Sequence, residues 1–186
     1  MDCRKLEDIE LLEALLSDNP QQSDAAFRCI YQRYASRVHS YCYKILKDKQ
    51  FAEDIFQETF IKFYQNVRIE KMKVSLLSFL LRIARNLSLN AIRDEKTKQN
   101  IYAVDYKSYS ALEDFANTNL QIIQKAIESL DLKYREPLVL RLYDGLDYDE
   151  IAEILDITPE NARKRVFRAK QQIKKILKPY YDEFIN

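Results

Sequence analysis

Residues 147–177 read DYDEIAEILDITPENARKRVFRAKQQIKKIL, and this stretch decides the fold. Asp147 and Glu150 form a D-x-x-E variant of the capping box, in which two orphan N–H groups at a helix start are satisfied reciprocally. Ile151, Ala152, Ile154 and Leu155 then mark the inner face of a short helix. Asp156-Ile157 is the turn. Thr158 is an N-cap and Pro159 stands at the first helical position, where its missing N–H costs nothing. The second helix is predicted to run to about Lys178, roughly 30 Å at the α-helical rise. Ala162, Val166, Ala169, Ile173 and Ile176 share its inner side, while Glu160, Asn161, Lys164, Arg168 and Gln171 fall outside, flanked by Arg163, Arg165 and Phe167. A short turn between two helices, the second one basic on its outer face, suits docking in a DNA major groove. There Arg and Lys pair with guanine edges or phosphates, and Asn with adenine.

Outward from this motif, helices account for the whole pattern. The 186 residues hold one Gly and four Pro, too few for a sheet of many tight turns. With 47% apolar and 32% charged residues the chain can bury a core. Tyr134–Tyr143 is expected to be helical with Pro137 in its first turn, and Gly145 to follow it in the left-handed conformation. Leu120, Ile123, Ile127 and Leu130 mark the helix before it.

In the N-terminal half, Leu6, Ile9, Leu12 and Leu16 form a short stripe ended by Asn19-Pro20. Phe27, Ile30, Tyr34, Val38, Tyr41 and Ile45 form a long one, with Asp24 as its N-cap. Ala52, Ile55, Phe56, Phe60, Phe63 and Val67 form the third, and Leu76, Leu80, Ile83, Leu87 and Ala91 the fourth, running to about Arg93. Arg68–Val74 reads as a loop. Residues 94–117 lose all periodicity, with Tyr102, Tyr106 and Tyr109 among polar residues, and read as a tether between two domains.

The net charge of +1 excludes a protein that coats DNA non-specifically, but the charge is segregated. Residues 1–24 carry seven acidic side chains against Arg4 and Lys5; residues 158–178 carry eight basic ones against Glu160. Cys3, Cys29 and Cys42, an odd set without a CxxC, fit reduced thiols in a cytosol. His39-x-x-Cys42 with Cys29 lacks a fourth ligand for a structural zinc site and reads as packing. With His39 the one histidine, no nucleophilic triad is in view, and no Gly-rich phosphate loop exists. No signal peptide and no membrane-length apolar run is present. The expectation is a cytoplasmic, non-enzymatic DNA-reading protein without cofactor or metal.

The stretch YREPLVLRLYDGLDYDEIAEILDITPENARKRVFRAKQQI (134–173) resembles region 4 of bacterial RNA polymerase sigma factors. FAEDIFQETFIKFYQN (51–66) resembles the part of region 2 that docks on core polymerase, and SFLLRIARNLSLNAIR (78–93) the part that opens and reads the −10 element. With only these two regions, the chain is similar to the small extracytoplasmic-function (ECF) group of the sigma-70 family. The resemblance implies an all-α architecture: an N-terminal extension (1–20), region 2 as a helical bundle (21–95), a flexible linker (96–117) and region 4 as the helix-turn-helix (118–186). It implies that Glu53, Asp54, Gln57 and Glu58 meet the clamp coiled coil of the polymerase β′ subunit, with the β flap a further contact. It implies that Phe79, Arg82, Arg85 and Asn86 hold the melted −10 strand, with core packing the other reading of Phe79 and a solvated surface that of Arg82 and Arg85, and that the loop Asn66–Ser75 accepts a flipped base. Glu160, Asn161, Arg163, Lys164, Phe167 and Arg168 would read or grip the −35 element. An anti-sigma factor, membrane-linked, is a further implied partner. Four positions depart from the family pattern: Asp156 stands where Gly is common, Phe79 where Trp is common, and Asn161-Ala162 where Thr-Val is frequent. The rival readings are a self-sufficient helix-turn-helix regulator on paired half-sites, and a helical scaffold that binds no DNA.

Overall fold

A computed structural model of the chain describes residues 3–67, 75–101 and 119–182. All regular structure in them is helical: α1 (Asp8–Leu15), α2 (Pro20–Leu46), α3 (Lys49–Asn66), α4 (Leu76–Ile101), α5 (Asn119–Glu128), α6 (Leu132–Leu142), α7 (Tyr148–Leu155) and α8 (Pro159–Asp182). They fall into two compact units, the first made of Met1–Leu89 with Glu153–Asp156 and the second of Asn90–Ala152 and Ile157–Asn186. No helix among the described residues is long and apolar enough to cross a membrane.

In the first unit, α1 starts with a reciprocal cap, the Glu7 N–H donating to Glu10 Oε2 at 2.7 Å. It buries Leu11, Ala14 and Leu15, whereas Ile9 is 70% exposed and Leu16 lies largely outside. The predicted stripe is therefore rotated. Six of the eight residues from Ile9 to Leu16 are apolar, so two stripes fit the same helix, and packing on α2 selects between them. α2 starts earlier than expected. Pro20 opens it at N1, and the Asn19 side chain accepts from the Gln21 and Gln22 N–H groups at 3.0 and 3.4 Å, so the cap is Asn19 and not Asp24. A buried Ser23 hydroxyl donates to the Leu15 carbonyl at 2.7 Å and fastens the end of α1 to the start of α2.

Lys47, left-handed at φ 62°, ends α2, and Asp48 caps α3 through the Phe51 N–H at 2.9 Å. All six residues of the α3 stripe are buried. Ser75 caps α4 through the Ser78 N–H. Leu76 and Leu80 are buried as expected, joined by Leu77, Phe79, Leu81 and Ala84. α4 continues past Arg93 to Ile101, so the first residues of the expected tether are helical; residues 102–118 and 68–74, the latter expected as a loop, lie outside the described residues.

The cysteines correct the reading of reduced thiols. Cys3 and Cys29 are joined in a disulfide across 5.0 Å between Cα atoms, and Cys42 is free and buried. Next to the bridge, Arg33 ties down the N-terminal segment. Its guanidinium donates to Asp8 Oδ1 at 2.7 Å, to the Cys3 carbonyl at 2.6 Å and to the Leu6 carbonyl at 2.7 Å. The Tyr34 hydroxyl bonds the same carboxylate.

In the second unit, α6 begins at Leu132, two residues earlier than expected. Pro137 is thus the sixth helical residue and lies beyond the first turn, so the Lys133 carbonyl loses its intrahelical partner. Arg135 Nη1 donates to the Glu128 carbonyl at 3.1 Å and closes the α5–α6 connection. Gly145 has φ +64°, the predicted left-handed residue, and the Leu146 N–H returns to the Leu140 carbonyl at 3.2 Å. Ile151, Ala152, Ile154 and Leu155 of α7 are buried. On α8, Ala162, Val166 and Ala169 are buried, but the stripe ends at Leu177, leaving Ile176 exposed.

Candidate functional site

The turn between α7 and α8 sets the direction of the basic helix. Asp156, where glycine is common in the family the chain resembles, has φ 54° in the left-handed region, and the Ile157 N–H donates to the Ala152 carbonyl at 3.0 Å. Thr158 Oγ1 then accepts the Asn161 N–H at 3.2 Å, starting α8 with three residues between it and α7. Glu160, Asn161, Arg163, Lys164, Phe167 and Arg168 are all exposed, and Phe167 is 62% so. A large ring held in water on a cationic helix is shaped for apolar contact with a thymine methyl or a sugar. Glu160 Oε1 lies 2.7 Å from Lys164 Nζ, and the ammonium holds that carboxyl below its ordinary value of 4.5. Arg163 lies over the ring of Tyr148, the first residue of α7.

A second polar surface lies on α3. Glu53, Asp54, Gln57 and Glu58 are exposed at spacings that put them on one side of the helix. Glu53 is oriented by two neighbours, Gln57 Nε2 at 3.2 Å and His39 Nε2 at 3.2 Å. His39 also meets the Phe56 ring edge-on at 5.3 Å, which accounts for it as a packing residue. Among the described residues no group of three or more His, Cys, Asp or Glu is placed to hold a metal.

The third set, on α4, divides. Arg82 and Asn86 are exposed and Arg85 is half-buried, three and four residues apart on one side. Phe79 is 6% exposed, with its ring 6.1 Å from that of Phe63. Of its two readings, a stacking surface for a base and plain core packing, the burial fits the second, and the polar surface of α4 is carried by Arg82, Arg85 and Asn86.

Three features escape a reading of the sequence. The first is a groove of about 570 Å³ between α2 and α3, bordered by Phe27, Tyr31, Phe56, Phe60, Ile61 and Tyr64 and edged by Asp24, Gln57 and Gln65. Tyr31 and Ile61, outside the apolar stripes yet apolar, were its signal. The second is Tyr148, whose ring meets Arg141 across the turn between α6 and α7 and Arg163 on α8. The third is the Cys3–Cys29 bridge.

Comparison with known proteins follows the same two halves. Sigma-70 region 2 matches residues 30–98, and Sigma-70 region 4 matches residues 120–173. The chain is 32% identical over 167 residues to the ECF RNA polymerase sigma factor SigW of Bacillus subtilis, covering 82% of this chain and 89% of that protein. It is 30% identical over 185 residues to the ECF RNA polymerase sigma-E factor of Escherichia coli, covering 91% and 96%. Among solved structures, the sigma factor RpoE in complex with the anti-sigma factor NepR from Bartonella quintana aligns with a TM-score of 0.71 at 23% identity, covering 82% of this chain and 96% of that one. CnrH in complex with the cytosolic domain of CnrY aligns at 0.67 and 18% identity, covering 91% and 96%. At these identities the two structures speak for the fold.

Proposed function

The chain belongs to the ECF group of sigma-70 family RNA polymerase sigma factors, non-enzymatic proteins that direct promoter recognition and transcription initiation, and on that premise we propose how its surfaces divide the work. Residues 21–95 carry core-polymerase binding and −10 recognition, and residues 118–186 carry −35 recognition, with 96–117 as the linker. Glu53, Asp54, Gln57 and Glu58 face the β′ clamp, where acidic and amide groups complement a basic helix surface. The β flap contacts the region 4 unit. Arg82, Arg85 and Asn86 hold the −10 strand, supplying cations and an amide against the cost of extruding a base. Asn161, Arg163, Lys164, Phe167 and Arg168 grip and read the −35 element, with Glu160 tuning Lys164. The protein acts in the cytoplasm, and a membrane-linked anti-sigma factor silences it by covering these faces.

The observation that carries this reading is the outer face of α8: five side chains suited to bases and phosphates, exposed in the first turns of a capped helix behind a three-residue turn. A self-sufficient regulator presents a similar helix but acts without polymerase. The experiment is transcription from a pool of random promoter fragments by purified core enzyme. With the chain added, transcripts start downstream of a shared pair of elements; the chain alone footprints no palindrome. A palindromic footprint without polymerase, and no start-site selection with it, overturns the assignment.

A further inference from the structure

Tyr148 opens α7 directly after its Asp147 cap, and its ring gathers two cations from elsewhere in the second unit. The Arg141 guanidinium carbon, in the last turn of α6, lies 5.0 Å from the ring centroid; that of Arg163, on α8, lies 5.2 Å away. Both distances fall inside the range of about 6 Å over which an aromatic face attracts a cation. Arg141 has a second restraint, Nη1 donating to the Leu146 carbonyl at 2.6 Å. Gly145, left-handed at φ +64°, lies in the turn that brings this carbonyl within reach.

Two guanidinium groups beside one ring repel each other. The ring, the Leu146 carbonyl and the Glu160 carboxylate, whose charge is felt at Arg163 while it pairs with Lys164, offset part of that repulsion, and an anion would neutralise the rest. Two acidic neighbours are engaged in capping α7. The Asp147 carboxylate accepts the Asp149 and Glu150 N–H groups at 2.9 and 2.8 Å, and the Glu150 carboxylate accepts the Asp147 N–H at 3.0 Å. A guanidinium that stacks by its face keeps in-plane N–H donors at its edge, the geometry that suits phosphate oxygens. Restraining it in advance lowers the entropy lost on binding.

We propose that Tyr148 is a positioning residue for promoter binding, its ring holding Arg141 and Arg163 as a preformed pair that grips DNA backbone phosphates at the helix-turn-helix. Arg141, outside the recognition helix, thereby becomes a DNA contact. The inference rests on the reading of α8 as the −35 helix and adds the device that orients its first arginine.

The test uses full-length chain assembled with core polymerase, on a duplex enriched from a random-sequence pool by the unaltered holoenzyme. Affinity is measured between about 50 and 200 mM salt, since each lost phosphate contact lowers the log–log salt slope by about 0.9. Tyr148→Leu is expected to bind about tenfold more weakly, with a slope shallower by about one to two units. Tyr148→Phe, which keeps the face and loses only the hydroxyl, stays within about twofold of the parent. Arg141→Gln loses about one unit of slope by itself and decides the matter should Tyr148→Leu fail to fold. In an Arg141→Gln/Arg163→Gln background, Tyr148→Leu adds nothing. An unchanged slope in folded Tyr148→Leu or in Arg141→Gln, or a Tyr148→Phe as weak as Tyr148→Leu, overturns the inference while leaving the −35 reading intact. Failure of the unaltered holoenzyme to enrich any duplex overturns both.

Discussion

Lys164 Nζ lies 2.7 Å from Glu160 Oε1, one helical turn back on the exposed face of α8, so the carboxylate occupies a cation that DNA would otherwise take. Glu160→Gln should free Lys164 and remove a negative charge from the docking face. A severalfold gain in promoter affinity and a steeper salt dependence are expected, read by titration of holoenzyme on a promoter duplex. The Glu160 carboxyl is held below its ordinary value of 4.5, mainly by its hydrogen bond to Lys164. Its folded value being depressed, the pair is complete above the ordinary carboxylate range and is lost only as pH falls through the lowered value. The gain from Glu160→Gln should therefore be the same at pH 6 and pH 8.

The bridge between Cys3 and Cys29 spans 26 residues of sequence, and Cys42 is buried with its thiol pushed up to about 12 by desolvation. The oxidised, folded chain should take up no iodoacetamide near pH 8, and one equivalent per chain after unfolding without reductant. A loop of that length predicts that reduction lowers the stability to unfolding by about 3 kcal/mol. Two or more alkylated thiols per unreduced chain would show that the bridge does not form.

The Tyr34 hydroxyl bonds Asp8 at 2.7 Å, and burial together with that carboxylate pushes the phenol above its ordinary value of 10.0. A raised acid contributes stability that is complete below its unfolded value and is lost as pH rises through the folded one. Denaturant melts of the parent should therefore weaken above about pH 10, and Tyr34→Phe should weaken less over that range. At neutral pH Tyr34→Phe should cost about 1–2 kcal/mol, the loss of a hydrogen bond to a charged group.

Gly145 and Asp156 both take left-handed conformations, for different local needs. A Cβ on Gly145 would meet nothing within 4 Å, so Gly145→Ala isolates the backbone term and should cost about 1 kcal/mol in a thermal melt. Asp156→Val, placing a branched side chain at φ 54°, should cost about 1–2 kcal/mol, whereas Asp156→Gly should be neutral or slightly stabilising.

What the sequence made legible was the periodic and the local. The α3 stripe, the Asp147 and Thr158 caps, Gly145 and the outer face of α8 all follow from spacing and from the chemistry of helix ends. α1 misled because nearly every position between Ile9 and Leu16 is apolar, so periodicity cannot choose a face. The start of α2 misled because a proline that ends one helix also opens the next. Phe79 carried two readings, a stacking surface by family position and core packing by its apolar ring, and only its neighbour Phe63 on another helix separates them. The Cys3–Cys29 bridge, the aromatic groove and the contact of Arg163 with Tyr148 join residues of different elements, and pairwise proximity of that kind has no local signature.

The division of labour between the α3 face and the α8 face is tested most directly by one paired measurement: co-purification with core polymerase, followed by promoter affinity of the assembled holoenzyme, for Asp54→Arg and Arg168→Ala. Asp54→Arg should fold and fail to join the core enzyme. Arg168→Ala should join it normally and bind the promoter about 1–3 kcal/mol more weakly. Core binding retained by Asp54→Arg, or promoter affinity unchanged in Arg168→Ala, would contradict the account.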